Sequence, residues 1–270
     1  MELTVLVDNH TYIDEYFLGE PALSVYLEVD GKKIMLDTGY SDIYLKNAEK
    51  LGIDLKDLDT IVLSHGHDDH TKGLEYYPKT DRSVKLVAHP AAFHPKRREP
   101  LSIGCPFTEE ELGERFTLET SREPLRLTEH LWFLGEIPRI NDFENQKPVA
   151  EVFEDGAWKP DFMTEDSALV YEDTDGIYII TGCSHSGICN ILEYAKKVTG
   201  KGKIKGLIGG FHLFEEDQEQ IEKTADYLAR EEISELYPSH CTCFHARCAI
   251  NNKISVKEVG VSLKLHWGEK

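Results

Sequence analysis

The chain has 270 residues, of which 40% are hydrophobic and 10% are aromatic, so it can bury a large core and has the composition of a globular protein. Thirty basic residues against 49 acidic ones give a net charge of −19, which argues against a protein that binds the phosphates of nucleic acids. No segment approaches the roughly 20 apolar residues that cross a bilayer, so we expect no membrane partner.

The N-terminal segment and the six cysteines both bear on the cellular compartment. The segment MELTVLVDNH lacks the basic leader and the cleavage site of a secretory signal. The cysteines are unevenly spaced and lie near histidines, which is typical of reduced thiols rather than of a disulfide framework. We therefore expect a cytoplasmic protein, and we leave open whether it forms a homo-oligomer.

In the first half of the chain, short apolar segments end in polar loops. The segment LTVLV predicts a buried strand, and the two extended segments around Asp30-Gly31 predict a hairpin. Ser41 is a candidate N-cap of a helix that runs to about Leu51 and ends at Gly52. The segments LDTIVLS and VKLVAHPAAF each predict a buried strand followed by a loop.

The middle of the chain, residues 95–161, has a different texture, because it is rich in turn residues and charges. We interpret it as an insertion over the functional site of a single domain that spans residues 1–270. Regular patterning resumes with a second hairpin about Asp175-Gly176 and a helix over about residues 188–197. Strands that alternate with helices and hairpins predict a layered α/β fold.

The segment LSHGHDDHTKGL, residues 63–74, follows a predicted buried strand and places three histidines and two aspartates in six positions. In an extended turn, His65 and His67 point the same way and can share one ion. Asp69 and His70 are displaced by a turn and can serve a second ion. Neutral imidazole and carboxylate suit zinc, and also iron, manganese or nickel. Two ions about 3.5–4 Å apart activate a bridging water as a nucleophile at neutral pH.

Further polar residues also come directly after predicted strands. Cys183 and His185 follow IYIIT, His212 follows GLIGG, and His240 follows ELYPS. Because strand ends meet at one edge of an open α/β sheet, we expect these side chains to join the histidine-rich loop in one site. We predict that His185 and His240 bind metal, while His212 has either a site role or a structural one. Asp37 is predicted to orient a histidine rather than to bind metal.

The motif SHGHDDH resembles the H-x-H-x-D-H signature of the metallo-β-lactamase superfamily, and LDTG stands where that superfamily has a D-T-G turn. The resemblance implies an αββα sandwich, with two mixed β-sheets flanked by helices and a site for one or two metal ions at one sheet edge. Asp68 falls on a variable position of the signature and is expected to be a bystander. The metal ligands that the resemblance implies are His65, His67, Asp69, His70 and His240.

The remaining ligands depart from the superfamily pattern. A histidine usually precedes the strand that corresponds to SALVY, and a bridging aspartate usually ends the next strand. Here Glu165 and Asp166 precede the strand, and Cys183 stands in the position of the bridging aspartate. We expect His185 to supply the missing imidazole, with Cys183 as a thiolate ligand in the alternative. Without a bridging carboxylate, the number of bound ions stays open between one and two.

A narrower resemblance rests on the segments LVDN, HPAAFHPKR, GEIPRINDFE, TGCSHSGICNI, GGFHL and PSHCT. These segments are similar to a branch of the superfamily that is related to archaeal methanopterin biosynthesis. The namesake of that branch joins a dihydropterin diphosphate to ribofuranosylaminobenzene phosphate. Many relatives in organisms without methanopterin are known only as metal-dependent hydrolases.

Three functions follow from these features. Our main prediction is a metallohydrolase that uses a metal-activated water on a small anionic ester or phosphoester, with Asp69 and His212 as catalytic residues. Arg139 is predicted to contact the anion, and the basic residues 96–98 are further candidates for that contact. The alternatives are a pterin-linked transferase that releases diphosphate and a non-catalytic metal or ligand sensor.

Overall fold

The computed structural model describes residues 1–79 and 83–268 of the chain. The strands in these residues are, in chain order, β1 (Glu2–Val7), β2 (Ser24–Val29), β3 (Lys32–Leu36), β4 (Thr60–Val62), β5 (Lys85–Ala88), β6 (Lys96–Arg98), β7 (Leu101–Ser102), β8 (Thr117–Thr120), β9 (Leu125–Arg126), β10 (Leu131–Phe133), β11 (Ala150–Glu154), β12 (Ala157–Asp161), β13 (Ala168–Glu172), β14 (Ile177–Thr181), β15 (Ile204–Gly210), β16 (Glu235–Ser239) and β17 (Lys264–His266). The α-helices are α1 (Ile43–Leu51), α2 (Asp68–Thr71), α3 (Glu109–Gly113), α4 (Ile188–Thr199), α5 (Gln218–Arg230) and α6 (Phe244–Asn251). Short 3-10 helices span Leu55–Asp57, Lys72–Tyr76 and Pro90–Phe93. Among the described helices, none is long and apolar enough to span a membrane.

Two mixed β-sheets face each other and carry helices on their outer surfaces, as predicted. One sheet has the strand order β17-β1-β2-β3-β4-β5-β8, and the other has the order β16-β15-β14-β13-β10-β9. Buried side chains of both sheets, such as Val62 and Ile180, pack together in the central layer. Tyr44 of α1 packs on the outer face of the first sheet, while Ile191 of α4 and Leu228 of α5 cover the second sheet. The fold is therefore an αββα sandwich.

The hairpin and helix ends follow from local conformational preferences. Asp30 and Gly31 both have positive φ angles, 52° and 70°, which is the backbone of the tight two-residue turn that joins β2 to β3. Helix α1 begins two residues after the predicted N-cap Ser41, and it ends at Gly52, whose φ is 74°. Helix α4 extends slightly beyond its predicted end, and Gly200, with a φ of 69°, ends it. Glycine stops both helices because it adopts the left-handed conformation without a steric penalty.

The predicted insertion, residues 95–161, is divided among three sheets. Strands β6, β7, β11 and β12 form a separate four-stranded antiparallel sheet, which we call the small sheet. Strand β8 instead extends the first main sheet, and β9 and β10 extend the second. These strands have only two to five residues and lie between charged turns. Such short strands show too little hydrophobic periodicity to be recognised in the sequence, which is why the sequence analysis interpreted the whole segment as one insertion. The small sheet reaches the histidine-rich loop, because the amide of Asp68 donates to the carbonyl of Ile103 at 2.9 Å.

Candidate metal centre

Loops that follow β4, β14 and β16 bring the candidate ligands together at one end of the two main sheets. The loop after β4 carries His65, the loop after β14 carries Cys183, and the loop after β16 carries His240. These residues fall into overlapping groups in which the ligating atoms lie within 4.8 Å of one another. The convergence matches the expectation that residues at strand ends share one site.

The first group consists of three imidazoles, those of His65, His67 and His185, with ligating nitrogens within 4.8 Å of one another. The Nε2 atoms of His65 and His67, and both ring nitrogens of His185, are buried and have no hydrogen-bond partner in the described part of the chain. Burial lowers the pKa of all three residues, that of His67 to about 3. They are therefore neutral rings with free lone pairs. Because an unpaired buried polar atom is costly, this group fits a metal ion.

The second group consists of Asp69, His70 and His240. The Nε2 atoms of the two histidines lie 3.1 Å apart, and Asp69 Oδ2 lies 3.5 Å from the first and 3.4 Å from the second. Burial opposes a charge on His70, but the nearby Asp69 and Asp37 carboxylates raise its pKa well above the usual range. The space between these three side chains therefore favours positive charge. Their imidazole and carboxylate donors suit a divalent cation.

Cys183 lies between the two groups. Its Sγ atom is 3.2 Å from His70 Nε2, and it also lies within 4.8 Å of a ligating nitrogen of His65. The sequence left His185 and Cys183 as alternatives for the missing ligand. The structure places His185 in the first group and Cys183 beside both groups, so the two residues do not compete for one position.

Asp37 and Ser64 orient the histidines of the loop. Asp37 Oδ2 lies 2.7 Å from His70 Nδ1, and the Ser64 hydroxyl donates to the same carboxylate at 2.7 Å. Ser64 Oγ also lies 2.9 Å from His65 Nδ1. Each contact engages Nδ1 and leaves Nε2 of the ring to face the candidate centre, which is how hydrogen-bonding partners fix the orientation of metal-binding histidines. Asp37 thus has the contact that its predicted orienting role requires.

The sequence analysis missed two residues that hold His240. Asn9 Oδ1 lies 3.0 Å from His240 Nδ1, and Asp8 Oδ2 accepts a hydrogen bond from the His240 amide at 3.0 Å. Both residues come directly after β1. Their position after a predicted strand was therefore a signal for them, as it was for Asp37 and His240.

One carboxylate side chain and one amide side chain fix the loop that carries His185. Asp166 accepts hydrogen bonds from the amide and the hydroxyl of Ser186, at 2.9 and 2.5 Å. Asn145 donates to the carbonyl of His185 at 2.6 Å. Asp166 stands near the place where the superfamily pattern has a ligand, and in this chain it anchors the loop that supplies His185.

Two adjoining cavities open above the ligand groups. One has a volume of about 550 Å³ and is lined by His67, Asp69, His185 and His240 together with residues of the small sheet. The other has a volume of about 530 Å³ and extends away from the ligands towards α5. Arg98, His185 and His212 line both. The ligand groups therefore form the floor of a space that a small molecule can enter.

His212 lies beside the ligand groups without belonging to one. Its ring centroid is 4.2 Å from that of His185, and it occupies the left-handed region with a φ of 48°. Such a conformation is uncommon for a residue other than glycine and is often found at functional sites. Burial, with a contribution from Arg98, lowers the pKa of His212 to about 4. His212 therefore presents a neutral ring to the cavity.

Arg139 does not occupy the predicted position at the cavity. Its guanidinium donates to the carbonyls of Ile137, Phe162 and Met163, at 3.0, 3.0 and 2.7 Å. It lines neither of the two cavities. Because its donors hold backbone segments together, this geometry does not support the anion contact that the sequence analysis predicted.

The basic segment 96–98 is divided between structural ion pairs and the cavity. Lys96 is buried against two carboxylates, and Arg97 pairs with Glu151 at 2.9 Å. Arg98 lines both cavities, and its one described hydrogen bond is to the carbonyl of Val149 at 3.0 Å. Of the three basic residues, Arg98 is therefore the one available to an anion in the cavity.

Gly66 is required by the close approach of the histidine-rich loop to a neighbouring segment. A Cβ atom at this position would lie 2.2 Å from the carbonyl oxygen of Ala92. The carbonyl of Ala92 belongs to the backbone and cannot rotate away as a side chain would. Gly66→Ala is therefore expected to displace His65 and His67 and to weaken metal binding. It should also lower the free energy of unfolding by about 1–3 kcal/mol. Urea denaturation and metal titration measure both effects.

Gly113→Ala is the matched control for this substitution, because a Cβ atom at Gly113 would meet nothing within 4 Å. We expect it to leave metal affinity and stability near those of the unsubstituted protein. Equal metal affinities for the Gly66→Ala and Gly113→Ala proteins would contradict the proposed constraint on the loop.

The chain is similar to known sequences over most of its length. Residues 18–240 match the profile of the metallo-β-lactamase superfamily. The chain is 34% identical to the uncharacterized protein MJ0448 of Methanocaldococcus jannaschii over 249 residues, which are 90% of this chain and 91% of that protein. It is 32% identical over 265 residues to the 7,8-dihydropterin-6-methyl-4-(β-D-ribofuranosyl)-aminobenzene-5′-phosphate synthase of the same organism, which covers 91% of this chain and 89% of the synthase.

Comparison with solved structures agrees with the fold. The crystal structure of Tm1679, described as a metal-dependent hydrolase of the β-lactamase superfamily, matches with a TM-score of 0.86 and 28% identity over the whole of both chains. Zinc-bound PqqB from Methylobacterium extorquens matches with a TM-score of 0.57 and 12% identity, over 99% of this chain and 100% of that one. The second likeness supports the fold alone.

Proposed function

The chain belongs to the metallo-β-lactamase superfamily, and on that premise we propose that it is a metal-dependent hydrolase of a small anionic ester or phosphoester. The observation that carries the proposal is the group of His65, His67 and His185. Each of these residues has a buried ring nitrogen without a hydrogen-bond partner in the described residues, and His67 and His185 line a cavity. A cation is the partner that such a set of lone pairs requires.

We assign the ligands to two positions. His65, His67 and His185 hold the first ion, and Asp69, His70, His240 and Cys183 surround the second. Zinc suits this mixture of imidazole, carboxylate and thiolate donors, although iron, manganese and nickel also bind imidazole and carboxylate. When bound, such ions supply Lewis acidity and lower the pKa of water, which is the chemistry of hydrolysis at neutral pH.

The residues of the chain itself bind the substrate and move protons. The Asp69 carboxylate lines the cavity and is 29% exposed, so it can accept a hydrogen bond from the attacking water and orient it. The neutral His212 ring lines the same space and can exchange a proton with the substrate at a ring nitrogen. Asp69 and His212 are the two residues for which the sequence analysis predicted catalytic roles.

Arg98 replaces Arg139 as the proposed contact for the anionic group of the substrate. Its guanidinium lines both cavities near His212, in a chain with a net charge of −19. Arg98→Ala is expected to raise KM for an anionic substrate about tenfold or more, because a hydrogen bond to a charged group is lost. The metal content should not change, since Arg98 is not a metal ligand. Steady-state kinetics with metal analysis measure both quantities.

Arg126→Ala is the matched control, because Arg126 stacks on Trp132 at the edge strand β9 and lines neither cavity. We expect its KM to equal that of the unsubstituted protein. An equal KM for the Arg98→Ala protein would show that the anion binds elsewhere.

A second candidate function is a pterin-linked transferase. It is favoured by the 32% identity to a protein named as a dihydropterin-linked aminobenzene phosphate synthase. In this reaction an arylamine displaces diphosphate from a dihydropterin diphosphate, and the same site would stabilise the leaving group. Arg98 would bind the diphosphate, and metal ions would neutralise its developing charge.

One assay distinguishes the candidate functions. The metal-loaded protein is incubated with a nitrophenyl ester and a nitrophenyl phosphodiester, and separately with a dihydropterin diphosphate and an arylamine phosphate. Ester or phosphodiester cleavage without diphosphate release supports the hydrolase, while arylamine-dependent diphosphate release supports the transferase. Metal binding without either reaction would favour the sensor.

A further inference from the structure

A second thiol lies at the metal centre beside the predicted ligands. Cys241 directly follows His240, and its Sγ atom lies within 4.8 Å of both Cys183 Sγ and a ligating nitrogen of His240. The sulfur also lines the cavity above the ligands. The sequence analysis gave Cys241 no role.

The arrangement of the parallel strands explains how the two thiols meet. Cys183 follows β14 and Cys241 follows β16, and β15 lies between these strands. At the end of β15, a Cβ atom on Gly210 would lie only 2.5 Å from Cys241 Sγ. Because Gly210 has no side chain, the Cys241 sulfur can occupy the space above the central strand and approach Cys183.

The surroundings of the Cys241 sulfur suit a metal-bound thiolate. The backbone amide of His212 donates to this sulfur, with an N-to-S distance of 3.3 Å, which stabilises negative charge on it. The Cys183 and Cys241 sulfurs and a His240 ring nitrogen lie close enough together to share one ion, and thiolate and imidazole are the usual donors of zinc sites. Thiolate ligands select thiophilic ions over hard ions such as magnesium and manganese.

We propose that Cys241 is a ligand of the second ion, together with Cys183 and His240. This inference rests on the proposed function, because it assigns a ligand to the same two-ion centre. It makes the second position sulfur-rich, whereas the first has three imidazoles. The two positions should therefore differ in metal preference, with the second retaining zinc in competition with manganese.

Cobalt(II) substitution of the full-length protein tests the assignment. Visible ligand-field bands report binding of the ion, and near-ultraviolet charge-transfer bands report cobalt–sulfur bonds. We expect Cys241→Ser and Cys183→Ser each to reduce the charge-transfer absorption to about half, because one of two thiolate ligands remains. Cys248→Ser is the matched control, since Cys248 is an exposed free thiol, and it should leave the absorption unchanged.

X-ray absorption at the zinc edge gives a second readout that needs no substitution. With two zinc ions bound, we expect on average about one sulfur neighbour per zinc, at a distance of about 2.3 Å. Cobalt binding with a charge-transfer band that Cys241→Ser does not weaken would overturn the assignment of Cys241 and leave the two-ion centre in place. Failure of the protein to bind cobalt or zinc at all would overturn both.

Discussion

His185→Ala is expected to remove the first metal ion and to lower activity by about 100-fold or more. The reason is that His185 supplies one of only three imidazoles in the first group, and neither of its ring nitrogens has another partner in the described residues. Loss of residues that merely orient a ligand already costs about 10–100-fold in metal affinity or activity, so loss of a ligand should cost at least as much. Elemental analysis after dialysis and steady-state kinetics measure the two effects.

The metal-free protein provides a specific contrast for this substitution. Because the His185 ring makes no hydrogen bond to the described chain, its removal should not lower the stability of the metal-free form through lost hydrogen bonds. A histidine that stabilised the fold would show the opposite pattern, with a lower free energy of unfolding and unchanged metal content. That result would contradict the ligand assignment.

His130→Ala is the matched control for a histidine outside the centre. His130 pairs with Asp30 at 2.9 Å, far along the chain from the ligand loops, and its side chain is 43% exposed. We expect metal content and activity to stay at the values of the unsubstituted protein. A comparable loss of metal in both variants would point to a general effect on folding.

Lys96→Met is expected to lower the free energy of unfolding by about 3–5 kcal/mol. Lys96 is 1% exposed, and its Nζ lies 2.6 Å from Asp161 Oδ2 and 2.8 Å from Glu165 Oε1. Both carboxylates are also buried, so removal of the cation leaves two acidic groups close together without compensation. Urea denaturation of the metal-free protein measures the change without a contribution from ligand binding.

The same substitution should also affect the cavity, because Lys96 joins the small sheet to the segment before β13. Arg98 lies on the same strand as Lys96 and lines the cavity, so loosening of β6 is expected to raise KM as well. Lys159→Met removes a cation from the same sheet, where it pairs with a highly exposed Asp155. It should leave both stability and KM near their original values, and equal stability of the two variants would refute the structural role of Lys96.

Local patterns of the sequence predicted a layered α/β fold and the histidine-rich loop, while the two-sheet sandwich was implied by the resemblance to the metallo-β-lactamase superfamily. Hairpin turns, glycine helix stops and apolar strands are specified by neighbouring residues, and Asp30-Gly31 and Gly52 show this directly. The motif that begins at His65 contains four of the seven predicted metal ligands within six positions. Such features need no knowledge of contacts between distant segments.

The parts that the sequence analysis missed depend on distant contacts. Arg139 and Arg98 are both basic residues in turn-rich surroundings, and only the folded chain shows that one holds carbonyls while the other lines the cavity. Asn9 reaches His240 across 231 positions of the chain. The position of Cys241 beside Cys183 depends on a glycine in a third segment, Gly210. No local pattern encodes these relations.

We propose that this chain holds two metal ions, one of them bound by three imidazoles. The most direct test is a crystal structure of the zinc-reconstituted protein, with anomalous diffraction at the zinc edge and elemental analysis of the same sample. We predict two zinc ions per chain, one contacted by His65, His67 and His185 and the other by His240 and Cys183. A protein that binds no zinc in stoichiometric amount, or zinc located away from these histidines, would contradict the account.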